Sequence, residues 1–267
     1  MATFGFIGTG NMGGALARAA CRRVPSDEVF LANRTMEKAQ ALAAELECRV
    51  ADNEAIARSA DFIFLGVKPQ MMADMLSEIA PVLAQRETRF VLVSMAAGLS
   101  LEDIARMAGG EYPVIRIMPN TPSAIGEGMI LYTCGKGVTK TEEKEFLDSM
   151  AGAGRFAAIP ESQMDVGSAV SGCGPAFVDL FIEALADGAV ACGLPRAAAM
   201  EFAAQMVVGS ARLVLESGSH PGALKDAVCS PGGSTIQGVR TLEKNGFRSA
   251  VMEAVIAACE KSASLGK

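Results

Sequence analysis

The chain has 267 residues, half of them hydrophobic, with 24 Lys and Arg against 30 Asp and Glu and a formal net charge of −6. So much apolar material excludes a disordered chain, and a thin acidic charge without a basic block excludes tracking of a nucleic-acid backbone. At roughly 100 to 200 residues per domain, the length suggests two domains.

A strand-like segment at residues 3–7 runs straight into glycines, where a secretory leader would place a basic start and an apolar stretch. The protein is therefore expected in the cytoplasm. Its purely apolar runs, such as residues 62–65, fall far short of the roughly 18 residues that span a bilayer, so no membrane crossing is expected. From residue 3 to about 159, β-rich runs alternate with helical stretches, the pattern of a parallel sheet with crossover helices. Strands are expected at 3–7, 29–32, 62–67, 90–94, 114–117, 129–132 and 155–158. Phe62-Ile63-Phe64-Leu65 and Val91-Leu92-Val93 are continuously apolar, as in strands covered on both faces, so an α/β, doubly wound sheet is expected.

The first strand ends at Ile7 and feeds Gly8-Thr9-Gly10-Asn11-Met12-Gly13, with a helix opening near Asn11. A GxGxxG string alone is weak evidence. In the order strand, turn and helix it gives backbone amides and a helix N-terminus that face a pyrophosphate, which marks residues 1–160 as a Rossmann-type dinucleotide-binding domain. The second strand ends in Ala32-Asn33-Arg34-Thr35, with Arg34 where an acidic residue would bind a ribose 2′-hydroxyl, so NADPH is expected and NADH allowed. Gly66-Val67-Lys68-Pro69 and Ser94-Met95-Ala96-Ala97-Gly98 close two further strands and should line the same crevice. Lys68, just before a proline, suits nucleotide contact through its backbone better than catalysis. Asn120, in Met118-Pro119-Asn120-Thr121-Pro122, either bonds the nicotinamide region or caps the turn.

After Pro160 the texture becomes alanine-rich and helical, with helices expected at about 175–192, 195–216 and 248–262. Residues 161–267 form the second expected domain. Its small-sided, apolar helices have polar faces too thin for a solitary bundle and are expected to bury a surface against another subunit. Val170-Ser171-Gly172-Cys173-Gly174-Pro175-Ala176 is a glycine-punctuated entrance to this half, expected to act as a hinge, and the single histidine, His220, is expected to be structural. In Cys229-Ser230-Pro231-Gly232-Gly233-Ser234-Thr235-Ile236, two glycines free backbone amides while Ser230, Ser234 and Thr235 add hydroxyls at a helix N-terminus. Without Lys or Arg the loop favours a small carboxylate. The plainer alternative makes Ser234 an N-cap and the glycines a turn. The seven cysteines form no CxxC pair and are expected to be reduced and mostly buried; no spacing suggests a metal site.

Reduction of a ketone usually requires a proton donor beside the oxygen, and no convincing one neighbours this loop. A protonated C=N bond brings its own proton, so alignment dominates, and the Thr235 hydroxyl could hold the nitrogen. A β-hydroxyacid dehydrogenase would carry a lysine and an asparagine on the helix opening the second domain, and residues 175–187 contain neither. A catalytically silent nucleotide sensor would have no need of the anion loop.

The glycine-rich loop, Val67-Lys68-Pro69, Met118-Pro119-Asn120-Thr121-Pro122, Ser171-Gly172-Cys173-Gly174-Pro175-Ala176 and Ser230-Pro231-Gly232-Gly233-Ser234-Thr235 occur in an order that resembles the pyrroline-5-carboxylate reductases over nearly the whole chain. The resemblance implies NAD(P)H-dependent reduction of 1-pyrroline-5-carboxylate to L-proline, the last step of proline synthesis. It implies that Ser230, Gly232, Gly233 and Ser234 hold the substrate carboxylate and that Thr235 bonds the ring nitrogen. The cofactor side it implies is Asn33, Arg34, Asn53, Val67, Lys68, Pro69, Ala96 and Asn120, beside Ile7 and the loop residues Gly8, Gly10, Asn11, Met12 and Gly13. It further implies an all-α dimerisation domain, a homodimer with active sites built across two chains, and dimers that often assemble into decamers. Ser234 departs from the threonine or alanine common in the family.

Overall fold

The computed structural model describes residues 2–265. Its first part runs β1 (Phe4–Ile7), α1 (Asn11–Ala20), β2 (Val29–Ala32), α2 (Met36–Leu46), β3 (Arg49–Val50), α3 (Asn53–Ser59), β4 (Phe62–Leu65), α4 (Met72–Ala84), β5 (Val91–Ser94), α5 (Leu101–Met107), β6 (Val114–Met118), β7 (Gly128–Cys134), α6 (Lys140–Met150) and β8 (Gly154–Ala158). Helices follow: α7 (Met164–Ser171), α8 (Gly174–Ala191), α9 (Arg196–Ser217), α10 (Pro221–Ala227), α11 (Ser234–Lys244) and α12 (Phe247–Leu265).

The strands form one eight-stranded sheet in the order β3-β2-β1-β4-β5-β6-β7-β8. All seven expected strands are present, that at 29–32 with the expected bounds and the others with end points shifted by at most two residues. β3 is the addition: two exposed residues on the sheet edge, too short for a periodic signal. The strands from β3 to β6 are mutually parallel, whereas β7 runs antiparallel to β6 and β8 parallel to β7. The reversal follows from the link, since the short 3-10 turn Thr121–Ile125 leaves no length for a crossover helix.

Alternation along β1 and β4 sends Phe4, Phe6, Phe62 and Phe64 to one face. There Phe4 stacks on Phe62 at 5.1 Å and Phe6 on Phe64 at 4.3 Å, with Phe146 of α6 closing the cluster. Each of these fully buried rings contributes roughly 2–3 kcal/mol of apolar burial. Ile63, Leu65 and Leu92 fill the other face with Ile56, Met72, Leu76 and Ile79 of α3 and α4. The core therefore lies on both sides of the sheet. α5 begins in a capping box in which Ser100 bonds the amide and carboxylate of Asp103 and holds that carboxyl below its usual range. The seven cysteines are unpaired thiols, half-buried except for exposed Cys192, so they are less enclosed than expected.

By packing, the chain divides into two units: residues up to Cys173 together with the chain from Ala258 on, and Gly174–Ala257. α7 thus goes with the sheet. Met164 is fully buried against Met118 and Leu131. The buried Arg116 guanidinium pairs with Glu161 at 3.3 Å and Asp165 at 3.5 Å, and Glu161 also accepts the Leu101 N–H at 2.7 Å. These partners are distant in sequence, which explains why composition alone suggested a change at residue 160.

In the second unit, α8 and α9 pack as a helical hairpin closed by a turn in which Gly193 takes a φ of +98°. Both helices start and stop within two residues of expectation. Much of their apolar surface is uncovered, including Leu180 at 67%, Phe202 at 59% and Leu215 at 71% exposure. Helical stretches 161–191 and 196–217 are long and apolar enough to span a bilayer by length and composition. The short apolar runs of the sequence did not show this, because single charged or polar residues such as Asp179, Glu183, Glu201 and Gln205 break the runs while leaving the average high.

Candidate active site

At the β1 and β4 ends two turns meet backbone to backbone. Gly8 adopts a φ of +96°, and a Cβ built on it would lie 2.7 Å from the Gly66 carbonyl. A Cβ on Gly66, or on Gly13 in the first turn of α1, would overlap the Gly8 carbonyl oxygen. The Gly66 N–H donates to the Ile7 carbonyl at 2.7 Å, and the Gly8 N–H to the Ala32 carbonyl at 2.8 Å, so three strand ends are knit together. Gly10 differs: a Cβ there meets nothing within 4 Å. Gly10 is also the N-cap of α1 and places no side chain over the helix amides. The first and third glycines therefore serve packing, while the second leaves the amides at the head of α1 open to a ligand.

This turn opens into a cleft of about 600 Å³. The sheet order reverses between β1 and β4, and the cleft sits at that switch point, where open α/β sheets bind ligands. It brings together Ile7, Gly8, Gly10, Asn33, Arg34, Asn53, Val67 and Lys68. Asn11, Met12 and Gly13 adjoin it on α1, and Pro69 opens the 3-10 turn after Lys68. Ala96 and Asn120 do not line it. They lie two residues beyond β5 and β6, farther along the same carboxyl edge.

Several of these side chains serve the protein itself. Asn33 accepts the Thr9 N–H at 3.2 Å and donates to the Thr35 carbonyl at 3.0 Å, bracing the glycine loop against the end of β2. Buried Asn120 donates to the Ser171 carbonyl at 2.9 Å and accepts the Met129 N–H at 3.1 Å. Its side chain does not cap the following 3-10 turn; it is instead a brace that ties α7 to β7. The Ala96 N–H faces Ser94 Oγ at 3.4 Å. Arg34 is exposed, with Nη1 3.9 Å from Met71 Sδ. Asn53 donates to the Glu78 carboxylate at 3.3 Å. The sequence reading missed Lys38, Asp74 and Glu78, which also line the cleft. Asp74 and Glu78, four residues apart, share one face of α4, a spacing that could have flagged them had the packed face of α4 been known.

The second unit carries the Ser230–Thr235 loop. Gly233 is the N-cap of α11, with no side-chain cap, so Ser234 is the first helical residue and the capping alternative does not apply. Gly232 has a φ of +71° with open space over its Cβ position, and the Gly233 N–H donates to the Ser230 carbonyl at 3.0 Å. The Ser230 hydroxyl occupies the space a Gly233 side chain would need. Ser230, Ser234 and Thr235 are exposed on the single chain. His220 Nδ1 accepts the Gly222 N–H at 3.0 Å as the N-cap of α10, a structural role as expected. Among the described residues no group of His, Cys, Asp and Glu could hold a metal ion.

Comparison with known proteins covers both units. Residues 161–265 match the family model described as pyrroline-5-carboxylate reductase dimerisation, and residues 3–98 one described as NADP oxidoreductase, coenzyme F420-dependent. The chain is 44% identical over 266 residues to the pyrroline-5-carboxylate reductase of Escherichia coli (strain K12), covering 98% of each. It is 38% identical over 265 residues to that of Pisum sativum, covering 98% of this chain and 96% of the relative. The crystal structure of Plasmodium falciparum pyrroline carboxylate reductase with NADP bound superposes with a TM-score of 0.87 at 36% identity, covering 100% of this chain and 98% of that one.

The glycine geometry separates two substitutions. Gly10→Ala should leave the melting temperature unchanged and weaken NADPH binding by about tenfold or more, the order of one lost charge-assisted hydrogen bond. Gly13→Ala should lower both. Titration of NADPH fluorescence beside a thermal melt checks this; Gly10→Ala binding as tightly as the parent would contradict the open-side assignment.

Proposed function

The chain belongs to the pyrroline-5-carboxylate reductase family, and we propose on that premise that it reduces 1-pyrroline-5-carboxylate to L-proline with NAD(P)H. The observation that carries the reading is the Ser230–Thr235 loop, an uncapped helix head with a left-handed Gly232 and no basic residue, suited to a small carboxylate. In this reading the amides of Gly232, Gly233 and Ser234 and the Ser230 hydroxyl grip the substrate acid group, and Thr235 Oγ holds the ring nitrogen.

On the dinucleotide side, the open amides at Asn11, Met12 and Gly13 suit the pyrophosphate and Arg34 the adenosine end. Ile7, Gly8, Gly10, Asn33, Asn53, Val67, Lys68 and Pro69 shape the remainder, with Ala96 and Asn120 along the edge toward β5 and β6. When bound, the nicotinamide supplies the hydride. The protein's own contribution is orientation and exclusion of water, since the iminium nitrogen arrives protonated and needs no acid from the chain. Residues 1–160 serve the dinucleotide in this reading, and residues 161–267 the substrate and assembly.

Following NADPH absorbance with 1-pyrroline-5-carboxylate should show turnover, whereas a 3-hydroxy acid with NADP should show none; the opposite pattern would replace this reading with a hydroxyacid dehydrogenase. Thr235→Ala should lower turnover by about tenfold or more while Cys229→Ala does not. Equal rates for Thr235→Ala and the parent would remove the nitrogen-holding role.

The uncovered apolar faces of α8 and α9 fit the same reading. A homodimer built on them, with dimers gathering into decamers, would bury Leu180, Phe202 and Leu215. The cytoplasm is the proposed compartment, in keeping with seven unpaired thiols. Light scattering at micromolar concentration should give a dimer or a multiple of it, and a monomer would refute the assembly.

A further inference from the structure

The adenosine end of the cleft carries opposed charges, and we propose that Lys38 is a specificity-determining residue there, a second cation that with Arg34 takes the 2′-phosphate and so separates NADPH from NADH. The proposal rests on the reading of the cleft as the NAD(P)H site.

Lys38 and Arg34 both line the cleft and come from one short segment, the turn from β2 into α2. The Lys38 N–H donates to the Thr35 carbonyl at 3.0 Å, so the lysine stands on the first turn of α2 directly after the arginine turn. Both are exposed, and neither pairs with a carboxylate among the described residues. The same cleft is lined by Asp74 and Glu78 of α4. Glu78 is engaged by Asn53 at 3.3 Å, while Asp74 has no hydrogen-bond or ion-pair partner among the described residues.

A bound 2′-phosphate brings about −1.5 to −2 charges at neutral pH, whereas a 2′-hydroxyl brings none and welcomes a carboxylate. With Arg34 alone to offset them, the two carboxylates of α4 would leave this end of the cleft hostile to the phosphate. Lys38 shifts the balance. Its effect should appear only for the phosphorylated dinucleotide and should shrink in high salt, because the ammonium is solvent-exposed.

The test is equilibrium binding without substrate, titrating NADPH and NADH by their own fluorescence into the intact protein, Lys38→Ala and Lys38→Arg. Lys38→Ala should weaken NADPH about tenfold, leave NADH within about twofold, and lose less at high salt; Lys38→Arg should keep NADPH binding. A Lys38→Ala protein in which both dinucleotides weaken alike, or neither changes, would overturn the proposal. Selective loss of NADPH in a protein that does not reduce 1-pyrroline-5-carboxylate would support Lys38 and refute the activity instead.

Discussion

The contact on which the fold and the cleft both depend is the meeting of two bare backbones, Gly8 at the end of β1 and Gly66 at the end of β4. Neither position has room for a Cβ, and Gly13 completes the arrangement by letting α1 come down onto the Gly8 carbonyl. Because these three residues carry no side chains, β1, β4 and the head of α1 converge at one point. The cleft opens where they converge, and the open side of Gly10 faces a free helix N-terminus. A single added methyl group at Gly13 or Gly66 would therefore be felt in stability and in ligand binding together.

The glycine spacing of this turn was readable from the sequence because its chemistry is local: strand, turn and helix follow each other without interruption. The strands were legible for a similar reason, since β1, β4 and β5 are short runs of apolar residues that only a sheet covered on both faces can accommodate. The features that escaped notice depend on which elements lie side by side or on the length of a link, not on a local residue pattern. β3 has two exposed residues and pairs only because β2 is beside it. The reversed direction of β7 is set by how little chain links it to β6. The bracing bonds that Asn33 and Asn120 make within the protein were likewise not visible along the chain. Lys38, Asp74 and Glu78 line the cleft because α2 and α4 flank it, and the spacing of Asp74 and Glu78 has meaning only once the packed face of α4 is known.

The two halves solve a common problem with the same device. In the proposed reading an anion is met by backbone amides at the head of an uncapped helix, α1 in the first unit and α11 in the second, and in each a glycine leaves the approach clear. On the same reading side-chain charge then refines the choice: Arg34 and Lys38 in the dinucleotide cleft, none within the Ser230–Thr235 loop. This division suits a reaction in which the substrate already carries the positive nitrogen. In that reaction position, more than acid–base chemistry, is what the protein has to supply.

That claim is tested most directly by a crystal structure of the protein with NADP and L-proline bound. The proline carboxylate should lie on the amides of Gly232, Gly233 and Ser234, with its nitrogen within hydrogen-bond distance of Thr235 Oγ. Proline bound away from this loop, or bound there with a protein acid or base on its nitrogen, would contradict the account.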